Sequence, residues 1–146
     1  MSKKTAFVTG GIGGIGTAIC HELSRKGVRI VAGYHPAEEE QAQAWLKSKK
    51  AQGADVAIIA GDVASFASCA DMAKTAGAID ILVNCAGITR DKTLRKMAEA
   101  DWLAVINIDL NSIFNVTKQF IDGMTERGYG RIVSISSVNG KKGQFG

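Results

Sequence analysis

The chain has 146 residues, of which 46% are hydrophobic and 22% are charged, and its formal net charge is +4. This length provides for one domain with a hydrophobic core, and the composition is that of an ordered globular protein rather than a disordered one. No hydrophobic run approaches the roughly 18 residues that a membrane span needs, and no signal peptide precedes the first apolar segment. We therefore expect a cytoplasmic protein.

The basic residues and the cysteines argue against two further classes. The Lys and Arg residues are scattered and no aromatic residues interleave them, which disfavours nucleic-acid binding, although a positive charge attracts nucleotides and coenzyme A. Cys20, Cys69 and Cys85 are far apart and form no Cys-x-x-Cys pair. We expect reduced, buried thiols rather than disulfides or a metal site.

Hydrophobic periodicity predicts an alternation of strands and helices along the whole chain. The predicted strands are residues 5–8, 28–32, 56–60, 79–83 and 131–136. The first predicted helix begins at residue 15 and ends at Gly27. Further helices are predicted over residues 38–50, 66–75 and, as one long helix, 102–124. Short β-branched strands joined by right-handed helical crossovers are typical of a doubly wound parallel α/β sheet of the Rossmann type.

A glycine-rich turn, Gly10-x-x-x-Gly14-x-Gly16, lies between the first strand and the first helix. Glycine permits the tight turn and lets backbone approach a phosphate, while the start of a helix offers free N–H groups and a partial positive charge. The turn predicts pyrophosphate contacts, and a tight turn without any ligand is the alternative. The residues we expect at the pyrophosphate are Gly10, Ile12, Gly13, Gly14, Ile15 and Gly16.

Three further motifs follow at predicted strand ends: Gly61-Asp62-Val63, Asn84-Cys85-Ala86-Gly87 and Ser136-Ser137. Together with the glycine spacing they resemble the short-chain dehydrogenase/reductase family over essentially the whole chain, although Cys85 stands where the family has a second asparagine. The resemblance implies a nicotinamide dinucleotide cofactor. It also implies cofactor contacts beyond the glycine turn, from Tyr34, His35, Gly61, Asp62, Val63, Cys85, Ala86, Gly87 and Ile88.

The choice between NADH and NADPH stays open. Family habit favours NADPH, whose 2′-phosphate is bound by Arg or Lys near the end of the second strand, whereas an acid there binds the ribose of NADH. This chain has neither at 32–36, but Glu38, Glu39 and Glu40 follow. Three carboxylates near a phosphate favour NADH, and acidic residues at a helix start are equally typical of a solvated surface.

The family's catalytic residues are represented in part. The resemblance implies that Ser137 holds a substrate carbonyl oxygen, and the family's helix asparagine falls on Asp109, where a carboxylate would add charge near the proton relay. The family's proton donor, the tyrosine of a Tyr-x-x-x-Lys element, falls shortly beyond Gly146, and neither Tyr34 nor Tyr129 begins such an element. We expect residues 1–146 to be a dinucleotide-binding domain that is incomplete after the fifth strand, inactive alone, and homotetrameric as a full-length protein.

Within the family, residues 86–91, 114–119 and 136–146 resemble the members that reduce acetoacetyl-CoA to (R)-3-hydroxybutyryl-CoA for polyhydroxyalkanoate synthesis. The resemblance implies an acyl-CoA substrate contacted by Asp91, Lys96, Gln144 and Phe145, with Lys92, Arg95 and Lys141 near the coenzyme A phosphates. Two alternatives stay open: a ketoreductase that acts on acyl-carrier-protein thioesters, and a non-catalytic nucleotide-binding module.

Overall fold

Five parallel strands form one sheet in the computed structural model, which describes residues 3–142. The strand order is β3-β2-β1-β4-β5. The strands are β1 (Thr5–Val8), β2 (Arg29–Tyr34), β3 (Val56–Ala60), β4 (Ile81–Asn84) and β5 (Arg131–Ser134). The chain runs outward from β1 through β2 to β3, and then returns to form β4 on the other side of β1. This strand order confirms the predicted doubly wound α/β fold.

Helices cover both faces of the sheet. They are α1 (Gly14–Arg25), α2 (Glu39–Ala51), α3 (Phe66–Ala76), α4 (Glu99–Val105) and α5 (Ser112–Glu126). Short 3₁₀ turns at Pro36–Glu38 and Val138–Gly140 precede α2 and follow β5, and a π-helical segment, Ile106–Asn111, joins α4 to α5. Within residues 3–142, no helix is both long and apolar enough to cross a membrane.

Side chains that alternate along the strands build one hydrophobic core on each face. Ala6 and Val8 of β1 pack into the core beneath α1 and α2, which also contains Ile30 and Cys20. Phe7, between them, points to the opposite face, as the period of two in a strand requires. There its ring lies 5.4 Å from the ring of Phe120 on α5. Both faces of β1 are therefore buried.

Several element boundaries differ from the predicted ones, and three of these differences lie near the carboxyl ends of the strands. Strand β2 continues to Tyr34 because its ladder with β3 extends to the pair Tyr34↔Ala60, so Tyr34 lies in the strand rather than after it. Strand β5 ends at Ser134, where its pairing with β4 ends. The predicted long helix is interrupted by the π-helical segment, whose wider turn a hydrophobic repeat does not reveal.

The three cysteines are free thiols, but they are not equally buried. Burial raises the pKa of Cys20 to about 12 and that of Cys69 to about 11. Cys85 is only partly buried, contrary to the prediction, because it follows β4 in a loop. Among residues 3–142, no group of three His, Cys, Asp or Glu side chains is arranged to hold a metal ion.

Candidate functional site: a cleft at the carboxyl ends of the strands

A cleft of about 650 Å³ lies beyond the carboxyl ends of β1 to β4, where the chain switches from one side of β1 to the other. Such a switch point is where open α/β sheets bind ligands. All fifteen residues predicted to contact a dinucleotide line this cleft. They are Gly10, Ile12, Gly13, Gly14, Ile15, Gly16, Tyr34, His35, Gly61, Asp62, Val63, Cys85, Ala86, Gly87 and Ile88. Five other lining residues were not predicted: Gly33, Glu38, Met72, Arg90 and Ile108.

The glycines of the first turn have different physical roles. Gly10 has a φ of +60°, a conformation that favours glycine, and its carbonyl accepts the N–H of Gly13 at 3.1 Å. A Cβ on Gly16 would overlap that same carbonyl, so Gly16 is needed for the turn to pack against the helix. A Cβ on Gly14 would meet no atom within 4 Å. Gly14 thus leaves open space in front of the first turn of α1, whose N–H groups have no intrahelical partner.

Thr9 joins the glycine turn to the loop that follows β4, a role that the sequence analysis did not assign. Its side chain is buried, and its Oγ1 accepts the backbone N–H groups of both Cys85 and Ala86 at 3.0 Å. These bonds fix the glycine turn against the adjoining loop, and both segments line the cleft. A threonine at the end of a buried strand, immediately before the first glycine, was the available signal.

The β2 end of the cleft contains a hydrogen-bonded cluster. The hydroxyl of the buried Tyr34 donates to Glu39 at 2.5 Å. Burial and this hydrogen bond raise the pKa of Tyr34 to about 12, and the same bond lowers the pKa of Glu39. His35 begins the 3₁₀ turn, and its backbone N–H donates to the carboxylate of Glu38 at 3.2 Å.

The β3 end of the cleft is closely packed. A Cβ on Gly61 would overlap the side chain of Met72, and the Gly61 N–H donates to the Tyr34 carbonyl at 2.9 Å. Asp62 accepts the N–H of Ala64 at 2.9 Å through Oδ1 and so closes the turn that leads to α3. Gly61, Asp62 and Val63 therefore form a fixed wall rather than a mobile loop.

Asp109 lies in the π-helical segment and contacts the loop that follows β4. Its Oδ1 accepts the backbone N–H of Ile88 at 2.8 Å. The carboxylate thus holds Gly87 and Ile88 in place on one side of the cleft. In the same loop, Cys85 contacts Thr9 through its backbone N–H, so this contact does not need the cysteine side chain. Burial raises the pKa of the Cys85 thiol.

Asn84, at the end of β4, connects three elements beneath the cleft. Its amide nitrogen donates to Thr117 of α5 at 3.2 Å and to Ser134 of β5 at 3.3 Å. Its Oδ1 is buried and has no hydrogen-bond partner among residues 3–142. This side chain is the polar link between β4 and β5, in addition to the backbone ladder.

The predicted catalytic serine and those predicted substrate residues that the structure describes do not line the cleft. Ser137 is exposed, and its Oγ accepts the N–H of Asn139 at 3.2 Å in the turn after β5. Lys92 donates to Asp101 at 2.6 Å rather than standing free. The remaining predicted residues within the described range are exposed: Asp91, Arg95, Lys96 and Lys141. Gln144 and Phe145 lie outside the described residues.

The family model for short chain dehydrogenases matches residues 4–146, and the chain belongs to that family. It is 56% identical over 98% of its length to the acetoacetyl-CoA reductase of Allochromatium vinosum, and 53% identical over its whole length to that of Cupriavidus necator. It spans 60% and 61% of the length of these two relatives.

Solved structures also resemble the chain in fold. A variant of the actinorhodin polyketide ketoreductase, crystallised with NADPH, matches with a TM-score of 0.88 and 35% identity. The match covers 97% of this chain and 56% of the ketoreductase. The fold and the order of motifs are therefore those of the family.

Proposed function

We propose that this chain forms the nucleotide-binding part of an NAD(P)H-dependent reductase that converts acetoacetyl-CoA to (R)-3-hydroxybutyryl-CoA for polyhydroxyalkanoate synthesis. The observation that carries the proposal is the cleft that joins the glycine turn, the end of β2 and the loop after β4. Its volume lies in the range of small-ligand sites. The chain is more than 50% identical in sequence to two acetoacetyl-CoA reductases, and this similarity supports the choice of substrate.

The residues present fit a dinucleotide. Open space at Gly14 and the free N–H groups at the start of α1 suit a pyrophosphate. When bound, the nicotinamide supplies hydride to the substrate carbonyl carbon. The chain's own part is to bind and orient: Thr9 and Asp109 hold the backbone of the β4 loop from its two sides.

Ser137 is proposed to hold the substrate carbonyl oxygen. Its Oγ accepts the Asn139 N–H, which leaves the hydroxyl proton available for donation to a substrate. Asp91, Lys96, Gln144 and Phe145 remain our proposed substrate contacts, with Lys92, Arg95 and Lys141 near coenzyme A. Lys92 would have to exchange its contact with Asp101 for a phosphate.

Neither tyrosine of this chain suits the role of proton donor. The Tyr34 hydroxyl is buried and bound to Glu39. The Tyr129 ring lies beneath the ammonium of Lys4, 3.8 Å from the ring centre. We therefore propose that a Tyr-x-x-x-Lys element outside these 146 residues completes the catalytic site. We also propose that the full-length enzyme is cytoplasmic and tetrameric.

Two measurements test the proposal. Calorimetric titration of NADH and NADPH into the protein should show binding of at least one, and Gly14→Val should weaken it at least about tenfold because the side chain enters the open space at α1. Circular dichroism should show the variant folded, since Gly14 is free of contacts. Unchanged affinity in a folded variant would refute the assignment of the cleft.

Turnover distinguishes the remaining alternatives. The 146-residue polypeptide should not oxidise NAD(P)H with acetoacetyl-CoA, whereas the full-length enzyme should. A preference of the full-length enzyme for acetoacetyl-acyl-carrier-protein would favour the carrier-protein ketoreductase. Binding of nucleotide by a full-length protein that turns over neither thioester would favour a non-catalytic module.

A further inference from the structure

A second pocket lies between α1 and α2, on the opposite face of the sheet from α3 and α5. Its volume is about 230 Å³, and it shares no lining residue with the dinucleotide cleft. Cys20, Ile30 and Val56 line it and form an apolar floor, since none of the three is more than 7% exposed. This α1–α2 pocket is therefore a separate cavity that suits an apolar group.

The ring of Trp45 forms part of the same pocket and is held in place from outside it. Its Nε1–H donates to Oγ1 of Thr17 on α1 at 2.9 Å, and this hydroxyl donates to the Ile12 carbonyl at 3.1 Å. Neither partner residue lines the pocket. Because the polar atom of the indole is already hydrogen-bonded, the ring offers a ligand apolar surface.

The charged side chains that line the pocket are positive. Among the described residues, Arg25 and Lys49 line it together with His21, and no Asp or Glu does. Arg25 is bound to both carboxylate oxygens of Glu22, at 3.0 and 3.3 Å. Lys49 forms no salt bridge with any of residues 3–142. Lys49 is therefore the cation that is available to a ligand here.

The Lys49 ammonium lies close to the apolar surface of the pocket. It is 5.9 Å from the centre of the Trp45 ring, and the residue is partly buried. Burial raises the pKa of the Cys20 thiol, and the positive charge of Lys49 opposes that rise, which places the ammonium near the floor. A cation beside an apolar floor, with no acid in the wall, favours a ligand that is both anionic and apolar.

We propose that the α1–α2 pocket binds a small monocarboxylate with an apolar chain, whose carboxylate contacts Lys49. The chain lies on the floor and against the Trp45 ring. At about 30 Å³ for each water molecule in the liquid, the pocket has room for roughly eight heavy atoms, which is the size of hexanoate. An inorganic anion would leave the floor uncovered, and a neutral chain would leave Lys49 without a partner.

NMR of the protein labelled with ¹⁵N at tryptophan tests this inference. The Nε1–H signal of Trp45 is the one that is absent from Trp45→Phe, and the signal of Trp102, outside the pocket, is the internal control. The probes are hexanoate, 1-hexanol, which has the chain without the charge, and inorganic phosphate, which has charge without a chain. Each is added to the unmodified protein, to Lys49→Gln and to Lys50→Gln. Lys50→Gln is the matched control, since it removes the same charge from an adjacent exposed position that does not line the pocket.

We expect hexanoate to shift the Trp45 signal saturably, with a Kd of about 1 mM, and to leave the Trp102 signal unmoved. Hexanol should bind about fivefold more weakly than hexanoate at low ionic strength, and Lys49→Gln should weaken hexanoate binding by a similar factor. Both differences should shrink as salt is added. Phosphate should not shift the Trp45 signal, and Lys50→Gln should bind hexanoate as the unmodified protein does.

Four results would each overturn the inference: no saturable shift of Trp45 with hexanoate, equal affinities for hexanoate and hexanol, a Trp45 shift with phosphate, or equal effects of the two lysine variants. The comparison of hexanoate with hexanol uses the unmodified protein, so it remains decisive even where Lys49→Gln fails to fold. None of these results bears on the dinucleotide cleft, which has no residue in common with this pocket.

Discussion

The glycine turn and the segment after β5 lie at the same edge of the sheet, yet they are held in different ways. Thr9, at the turn, is 2% exposed and accepts two backbone N–H groups from the loop after β4. Ser137, after β5, is exposed and its side chain bonds within its own short turn. The Thr9 side chain is thus held by contacts with another element, whereas the Ser137 side chain is held within its own turn.

The neighbouring surfaces differ in the same way. Strand β1 is almost entirely buried, while Ile132 and Val133 of β5 are 39% and 48% exposed. Large apolar side chains are also exposed on the segment from α4 to α5, with Trp102 at 56% and Phe114 at 65%. We therefore expect that substitutions in the glycine turn alter folding and nucleotide binding together. Substitutions in the segment after β5 should alter the chemistry with little effect on stability.

The largest expected effect is that of Gly16→Ala. Its Cβ would overlap the Gly10 carbonyl, which is backbone and cannot move without opening the turn. We expect a loss of about 3 kcal/mol in the free energy of unfolding, together with loss of NADH binding. Urea denaturation measures the first quantity and calorimetry the second.

Gly14→Ala is the control and should leave stability unchanged or raise it by up to about 1 kcal/mol, because that Cβ enters open space at a helix start. Equal destabilisation by both variants would show that the two glycines are alike.

Ser137→Ala tests the second region, in the full-length enzyme. We expect kcat to fall by about 10²-fold or more, the effect of losing a positioned hydrogen-bond donor to the reacting oxygen. In the 146-residue polypeptide, where the side chain is exposed, the free energy of unfolding should change by less than about 0.5 kcal/mol. Steady-state kinetics and urea denaturation provide the two values. A near-unchanged kcat, or a similar loss in Ser136→Ala, would remove Ser137 from its proposed role.

Thr9→Val should destabilise the protein by about 2 kcal/mol, because two partly buried backbone N–H groups lose their acceptor while the volume is nearly unchanged. NADH affinity should fall as well, since the glycine turn is no longer joined to the loop after β4. Thr9→Ser keeps the hydroxyl and should retain most of both properties. If the serine variant behaves like the valine variant, packing of the methyl group and not the hydrogen bonds explains the role of Thr9.

The smallest effect is expected at Asp80, at the opposite end of the strands. Although burial raises the pKa of Asp80, the Thr5 N–H at 2.9 Å and the Lys4 ammonium at 3.1 Å outweigh it and hold that pKa below its ordinary value of 3.8. A lowered pKa means that the carboxylate stabilises the fold above pH 4 or so and that this contribution is lost as the pH falls through the folded value. Asp80→Asn should therefore cost about 1 kcal/mol at pH 7 and less at pH 3, with NADH affinity unchanged. An equal cost at both pH values, or weaker binding, would contradict this.

The sequence was sufficient to predict the α/β fold and the position of the glycine turn because both depend on local patterns. Strand β3 has the predicted bounds, and the glycine turn lies where its position between a strand and a helix required. Glu38 was noted as one of three similar acids, but its distinct position depends on a hydrogen bond to His35 that composition cannot reveal. Its neighbour Glu39 is turned away by Tyr34, whose place within β2 was itself mispredicted.

By itself, the sequence predicted the alternation of strands and helices and the glycine turn, since hydrophobic period and glycine spacing act through the backbone of neighbouring residues. The resemblance to the short-chain dehydrogenase/reductase family supplied the other predicted cleft residues. The tertiary structure decided which side chains meet. Thr9 reaches the β4 loop 76 positions away, and Asp109 reaches Ile88 through a π-helical segment inserted between two helices. Such contacts depend on strand order and on the angle at which helices approach the sheet, and no local pattern encodes either one.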